Sequence, residues 1–256
     1  MPFFDEHGQP LDRIYLLQRA PRHFQLLEPI SFLEVGRPES ERVQIPAHDP
    51  DRPAVGDNQT DLASVPTVLW GLIASYGRQT SAALLHDHLS DEARHGDPAT
   101  RLGRRRGADH LFRIALIESS ISATRSWIMW AAVAIQKFWE FRRWQAIVMT
   151  MHAIIGVLLL YAVVALAIGG GGSERGFPLW MLALLALPAA TGLVWWRDAM
   201  AFLVVTYCGA FLAPFMVAGF LGQLVLLGLE AVGWLVTGTR TPPPKIGPTV
   251  MARRQP

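Results

Sequence analysis

Residues 146–168 read AIVMTMHAIIGVLLLYAVVALAI, with His152 the one side chain able to carry charge near neutral pH. About 20 apolar residues in helical form span a hydrocarbon core of about 30 Å, because lipid offers a bare peptide group no partner and a helix satisfies its own. This stretch has the length and composition of a membrane span, and it divides the chain in two. Downstream, Gly169 to Gly172 ends the helix and Ser173, Glu174 and Arg175 follow. Phe177 to Trp196 is a second apolar run, with Pro178 in its first turn, where a missing N–H costs little, and Pro188 in its middle, where a kink is expected. Arg197 and Asp198 close it. The third run, Ala199 to Val236, has 38 residues, which as one helix would measure about 57 Å, longer than a single crossing needs. It is therefore expected to fold back at Pro214, with Gly219 and Gly222 nearby, giving spans 199–213 and 215–236 and about four crossings in all.

Charge bears on orientation. Lys137, Arg142 and Arg143 precede the first span, and Arg240, Lys245, Arg253 and Arg254 lie in the Pro-rich tail, 237–256. Four spans put both basic ends on the cytoplasmic side, as the positive-inside tendency favours. Met1 to Pro10 holds Asp5 and Glu6 and no apolar core of signal-peptide length, so no cleaved signal is expected. Among the polar positions inside the spans, Glu230, Gln223 and His152, one acid and one histidine do not make an ion pathway, which leaves transport the weakest reading.

Upstream, residues 1–145 hold 17 of the 23 basic and 18 of the 21 acidic side chains, so this part is near neutral and the net +2 belongs to the membrane part. No basic surface for nucleic acid is indicated, and the bilayer is the expected partner. The single Cys208 excludes an internal disulfide framework. The fold class expected is α+β: a small soluble domain over 1–125 with short strands near 24–27, 31–35 and 42–45, then three or four helices, followed by a helical membrane bundle. Ala47 to Gln59 reads as an exposed loop. Ser64 caps a short helix near Pro66, Thr80 or Ser81 caps another running to about Arg94, and a third covers about 104–119. A fourth, the aromatic-rich connecting segment 126–145, carries Trp127, Trp130, Phe138 and Phe141. It either packs on the domain or lies at the headgroup boundary.

Three segments carry candidate chemistry: Thr60-Asp-Leu-Ala-Ser-Val-Pro66, His86-Asp87 and Ala108-Asp-His-Leu-Phe112. Consecutive helical residues point about 100° apart, so His86 can meet Asp109 while Asp87 faces Asp61. A histidine held by a carboxylate serves as a general base for water. Asp61, Asp87 and a backbone carbonyl such as that of Leu62 are hard oxygen donors suited to Ca²⁺. Each element also has a plain reading: His86 as a hydrogen-bonded core residue, Ser64 as a cap rather than a nucleophile, and His48, His88, His95 and His110 as surface groups without zinc spacing.

The run from Thr60 to Pro66, then Ala83-Leu-Leu-His-Asp-His-Leu89, then Ala108-Asp109 with Phe112, resembles the phage-associated domain of unknown function 1353 (DUF1353) over roughly residues 20–125. The family pattern has Tyr where this chain has Ser90, and lacks the insertion Ala47 to Gln59. More distantly, the order is similar to that of prokaryotic phospholipases A2. That likeness implies a lipid ester hydrolase with His86 activating water, Asp109 orienting it, and Asp61, Leu62 and Asp87 holding Ca²⁺, with phospholipid as substrate. A non-enzymatic membrane adaptor is the alternative. A metal-dependent His-Asp phosphohydrolase fits less well, since the expected strands suit an all-helical domain poorly.

Overall fold

The computed structural model describes residues 2–20, 23–62, 77–169 and 179–237. Two small antiparallel sheets come first. Strands β1 (Phe3–Phe4), β4 (Ile30–Phe32) and β5 (Val43–Ile45) form one in the order β1-β4-β5, and β2 (Leu16–Ala20) pairs with β3 (His23–Leu26) in the other. The expected meander thus splits: the 24–27 run pairs backward with β2, and only the later two runs pair with each other. Leu26, Ile30, Phe32 and Ile45 are buried and form the sheet side of the core.

The helical side is built by spacing. Helix α1 (Thr80–His95) buries Ala82, Leu85, His86, Ser90 and Ala93, and α2 (Arg101–Glu118) buries Arg105, Ala108, Asp109, Phe112, Ala115 and Leu116. These three- and four-residue steps put each set on one stripe, and the two stripes face one another. Helix α3 (Ala123–Phe141) is buried on two sides. Met129 joins the core of α1, α2 and the sheets, whereas Ala131 and Ala134 pack on Ala201, and Phe138 on Ala146, Met149 and Phe202. Packing, rather than a headgroup position, is what this connecting helix shows, and a break at Arg142 separates it from the next. The expected helix near Pro66 lies outside the described residues.

Two stretches, Arg143–Gly169 and Leu179–Thr237, are long and apolar enough to cross a membrane. The first is α4. The second comprises α5 (Leu179–Gly192), a 3₁₀ turn (Leu193–Asp198) and α6 (Ala199–Thr237), with the reversal at Trp196 (φ 49°, ψ −107°). Small residues let the three helices approach. A Cβ on Gly192 would stand 2.6 Å from the Phe202 ring, and one on Gly156 2.7 Å from the Thr206 methyl and 3.3 Å from Pro188. His152 fastens the same level: its Nδ1 accepts the Trp195 indole N–H at 3.1 Å and its Nε2 meets the Thr191 hydroxyl at 3.0 Å.

The expected hairpin at Pro214 is not formed, because α6 is one helix of 39 residues. Proline removes the N–H that would bond the carbonyl four residues earlier, here that of Ala210. The Tyr161 hydroxyl of α4 donates to that carbonyl instead, so the helix passes through Pro214 without leaving a bare acceptor. A separate span ending at 213 is thereby corrected.

Candidate functional site

The site is assembled from a loop and two helices. Thr60 extends the strand pairing, exchanging N–H···O bonds of 2.8 and 2.9 Å with Phe24 of β3. Its hydroxyl donates to Asp87 Oδ2 and accepts the Leu62 N–H at 3.0 Å. Leu62 has φ 55°, a left-handed conformation costly for a side chain of this size. Its burial in the core and the Thr60 brace hold it there.

Helix α1 delivers His86 and Asp87 to different sides, as their spacing requires. His86 Nε2 lies 3.0 Å from Asp109 Oδ1 on α2, its ring rests 4.9 Å from that of Phe112, and Ser90 Oγ stands 3.5 Å from the same nitrogen. Asp109 is almost fully enclosed, with Arg105 Nε 3.1 Å from Oδ1 and Lys137 Nζ 3.4 Å from Oδ2. Burial alone would raise its pKa, but the bond from His86 and the charges of Arg105 and Lys137 outweigh that and hold it below the usual carboxylate range. Burial pushes His86 below the ordinary histidine value; the bond to Asp109 opposes this and the Arg105 charge reinforces it. A neutral imidazole facing an ionised carboxylate keeps its proton on Nε2, which leaves Nδ1 as the basic nitrogen.

Asp87 faces the loop. Burial first, and then the charge of Asp61, push its carboxyl up to about 8, against the Thr60 bond and the charges of Arg105 and Arg94. His86, Asp87, Asp61 and Leu62 all line one cavity of about 800 Å³, whose opposite wall is α3 with Ile128, Met129 and Val133. Asp109 stands behind His86, outside the lining. Asp61, the Leu62 carbonyl and Asp87 are hard donors and suit a cation such as Ca²⁺ chemically, with other oxygens needed to complete its shell. No grouping of three or more His, Cys, Asp or Glu side chains arranged for a metal occurs among the described residues.

Among the other histidine candidates, His48, His88 and His95 are engaged in bonds of their own, although His48 and His88 also line the cavity. His48 Nδ1 accepts the Leu26 N–H at 2.7 Å, His95 bonds the Asp91 carbonyl and His88 pairs with Glu92 at 3.6 Å. Ser64 lies outside the described residues. Sequence reasoning missed Arg105 and Lys137, and it placed Thr60 in the loop motif without a role. Arg105 was detectable, being four residues before Asp109 on the same stripe. Lys137, counted among the loop cations, gave no signal of its burial.

Comparison with known proteins adds one match: residues 56–133 match the family described as a protein of unknown function (DUF1353), starting after the strands and running into α3. No curated protein and no solved structure matches the chain.

Proposed function

We propose that this protein is a membrane-tethered hydrolase of lipid esters in which His86 is the general base. The observation that carries the reading is the His86 ring at the cavity wall with Nε2 tied to Asp109 at 3.0 Å. Nδ1 takes a proton from water as its oxygen forms a bond to the ester carbonyl carbon. The resulting imidazolium, stabilised by Asp109, returns the proton to the leaving alkoxide as the carbon–oxygen bond breaks. Asp61, the Leu62 carbonyl and Asp87 would hold Ca²⁺, which when bound polarises the ester carbonyl as a Lewis acid. Phospholipid is the proposed substrate because the chain order of these residues is similar to that of prokaryotic phospholipases A2, and because two apolar stretches keep the domain beside lipid. Arg142, Arg143 and Arg197 at the domain-proximal helix ends favour a cytoplasmic domain on a multi-pass anchor, whereas the unbroken α6 withdraws the expectation that the basic tail shares that side.

A second reading, a non-enzymatic membrane adaptor, is favoured by the clamping of Asp109 between Arg105 and Lys137, an arrangement that joins helices whether or not chemistry follows. The test uses the full chain with mixed-phospholipid vesicles and Ca²⁺. The hydrolase releases fatty acid and lysolipid, and His86→Ala abolishes the release while circular dichroism and the melting curve are retained. A folded parent protein that releases nothing overturns the hydrolase and favours the adaptor.

A further inference from the structure

Ion pairs form an unbroken alternating chain through the molecule. Asp91 meets Arg94 at 2.9 Å, Arg94 meets Glu140 at 2.5 Å, Glu140 meets Arg105 at 3.4 Å, and Arg105 meets Asp109 at 3.1 Å. Lys137 then lies 3.4 Å from Asp109 and 2.8 Å from Asp198, which Arg106 reaches at 2.6 Å. Four acids and four bases alternate, drawn from α1, α2, α3 and the turn between α5 and α6. The centre is sealed: Lys137 and Arg105 are 2% exposed, Asp109 1% and Asp198 5%.

Asp198 belongs to the membrane hairpin, yet both its partners belong to α2 and α3. Lys137 is a single ammonium shared by two carboxylates, one of which orients His86. A buried charge stripped of its partner is expensive, so the cation cannot remain indifferent to the loss of either acid. The turn is also fixed from the other side, since Trp195, three residues before Asp198, donates to His152 of α4. A shift of the helices against one another must move this turn, and the turn carries Asp198.

We propose that Asp198 and Lys137 are positioning residues through which the membrane helices set the placement of Asp109, and through it of His86. The coupling regulates the cavity described above and rests on the hydrolase reading for its catalytic consequence alone. The full chain in lipid nanodiscs tests it by hydrogen exchange on Asp198→Asn, Lys137→Met and the double variant. Each single variant leaves the alternating chain one charge out of balance, and amides of 84–90 and 105–112, remote from Asp198 in sequence, exchange about tenfold faster. The double variant is balanced again and returns to within about threefold of the parent. Faster exchange confined to 193–210 in Asp198→Asn overturns the proposal, as does a double variant showing the product of the two single effects. Hydrolysis is followed in parallel: Asp198→Asn lowers kcat with KM unchanged and the double variant restores it. A parent protein without hydrolysis removes the enzyme reading, while the exchange data still decide the coupling.

Discussion

His86 has one nitrogen committed to Asp109, and in the proposed hydrolase the other takes the proton from water; this division predicts its behaviour. Asp109→Asn offers an amide that can hold the ring in the wrong tautomer, so fatty-acid release should fall about a hundredfold or more with the fold retained. Because burial lowers the His86 pKa, the ring stays neutral below the ordinary value of 6.5. Activity at saturating Ca²⁺ should rise with pH through a midpoint under 6.5, and a midpoint above it would contradict this assignment. Asp87 behaves oppositely. Its folded-state pKa of about 8 stands above the unfolded 3.8, so its contribution to stability is complete below the unfolded value and is lost as pH rises through that interval. Without Ca²⁺, Asp87→Asn should flatten the fall of the melting temperature between pH 5 and 8. In the proposed Ca²⁺ site the same carboxyl must ionise to hold the ion, so calorimetry below pH 8 should show release of about one proton on Ca²⁺ addition, and no heat or proton release would remove that site. These residue types and their order were legible in the sequence. The role of Thr60 was not, since a residue that braces a loop and bonds Asp87 through a hydroxyl has no periodic signature.

Among the elements, α1 and α2 follow the sequence closely because one-sided apolar stripes at helical steps state which faces must be covered. The connecting helix was open between packing and a headgroup position, because its composition suits either, and the structure shows it packed on both sides. Helix α6 shows why a proline is a weak boundary in a bundle. Its missing donor is replaced by Tyr161, distant in sequence and therefore invisible to a local reading. Tyr161→Phe should leave the Ala210 carbonyl bare and destabilise the bundle by about 1–2 kcal/mol. Pro214→Ala restores an N–H at that point and should erase most of the loss, as measured by unfolding in mixed micelles. At the tighter contact of Gly192 with Phe202, Gly192→Val should cost about 1–3 kcal/mol by overpacking.

Across the whole molecule, α4 and α6 run in the same direction, with His152 beside Phe202, Gly156 beside Thr206 and Tyr161 beside Ala210. Thr237 therefore stands at the far end of the bundle from Arg142. In a Cys208→Ala background, cysteines placed at 142 and 237 should react with an impermeant thiol reagent from opposite faces of a vesicle. Labelling of both from one face would restore the hairpin at Pro214. The division into a charged half and an apolar half was plain from composition, whereas the joint between them was not. Lys137 and Asp198 are 61 positions apart, and each alone looks like an ordinary residue at the border of a span. A sealed, charge-balanced joint has a practical result. Mobile ions screen charges they can approach, and these they cannot, so molar sodium chloride should leave hydrogen exchange at 105–112 and 193–198 unchanged.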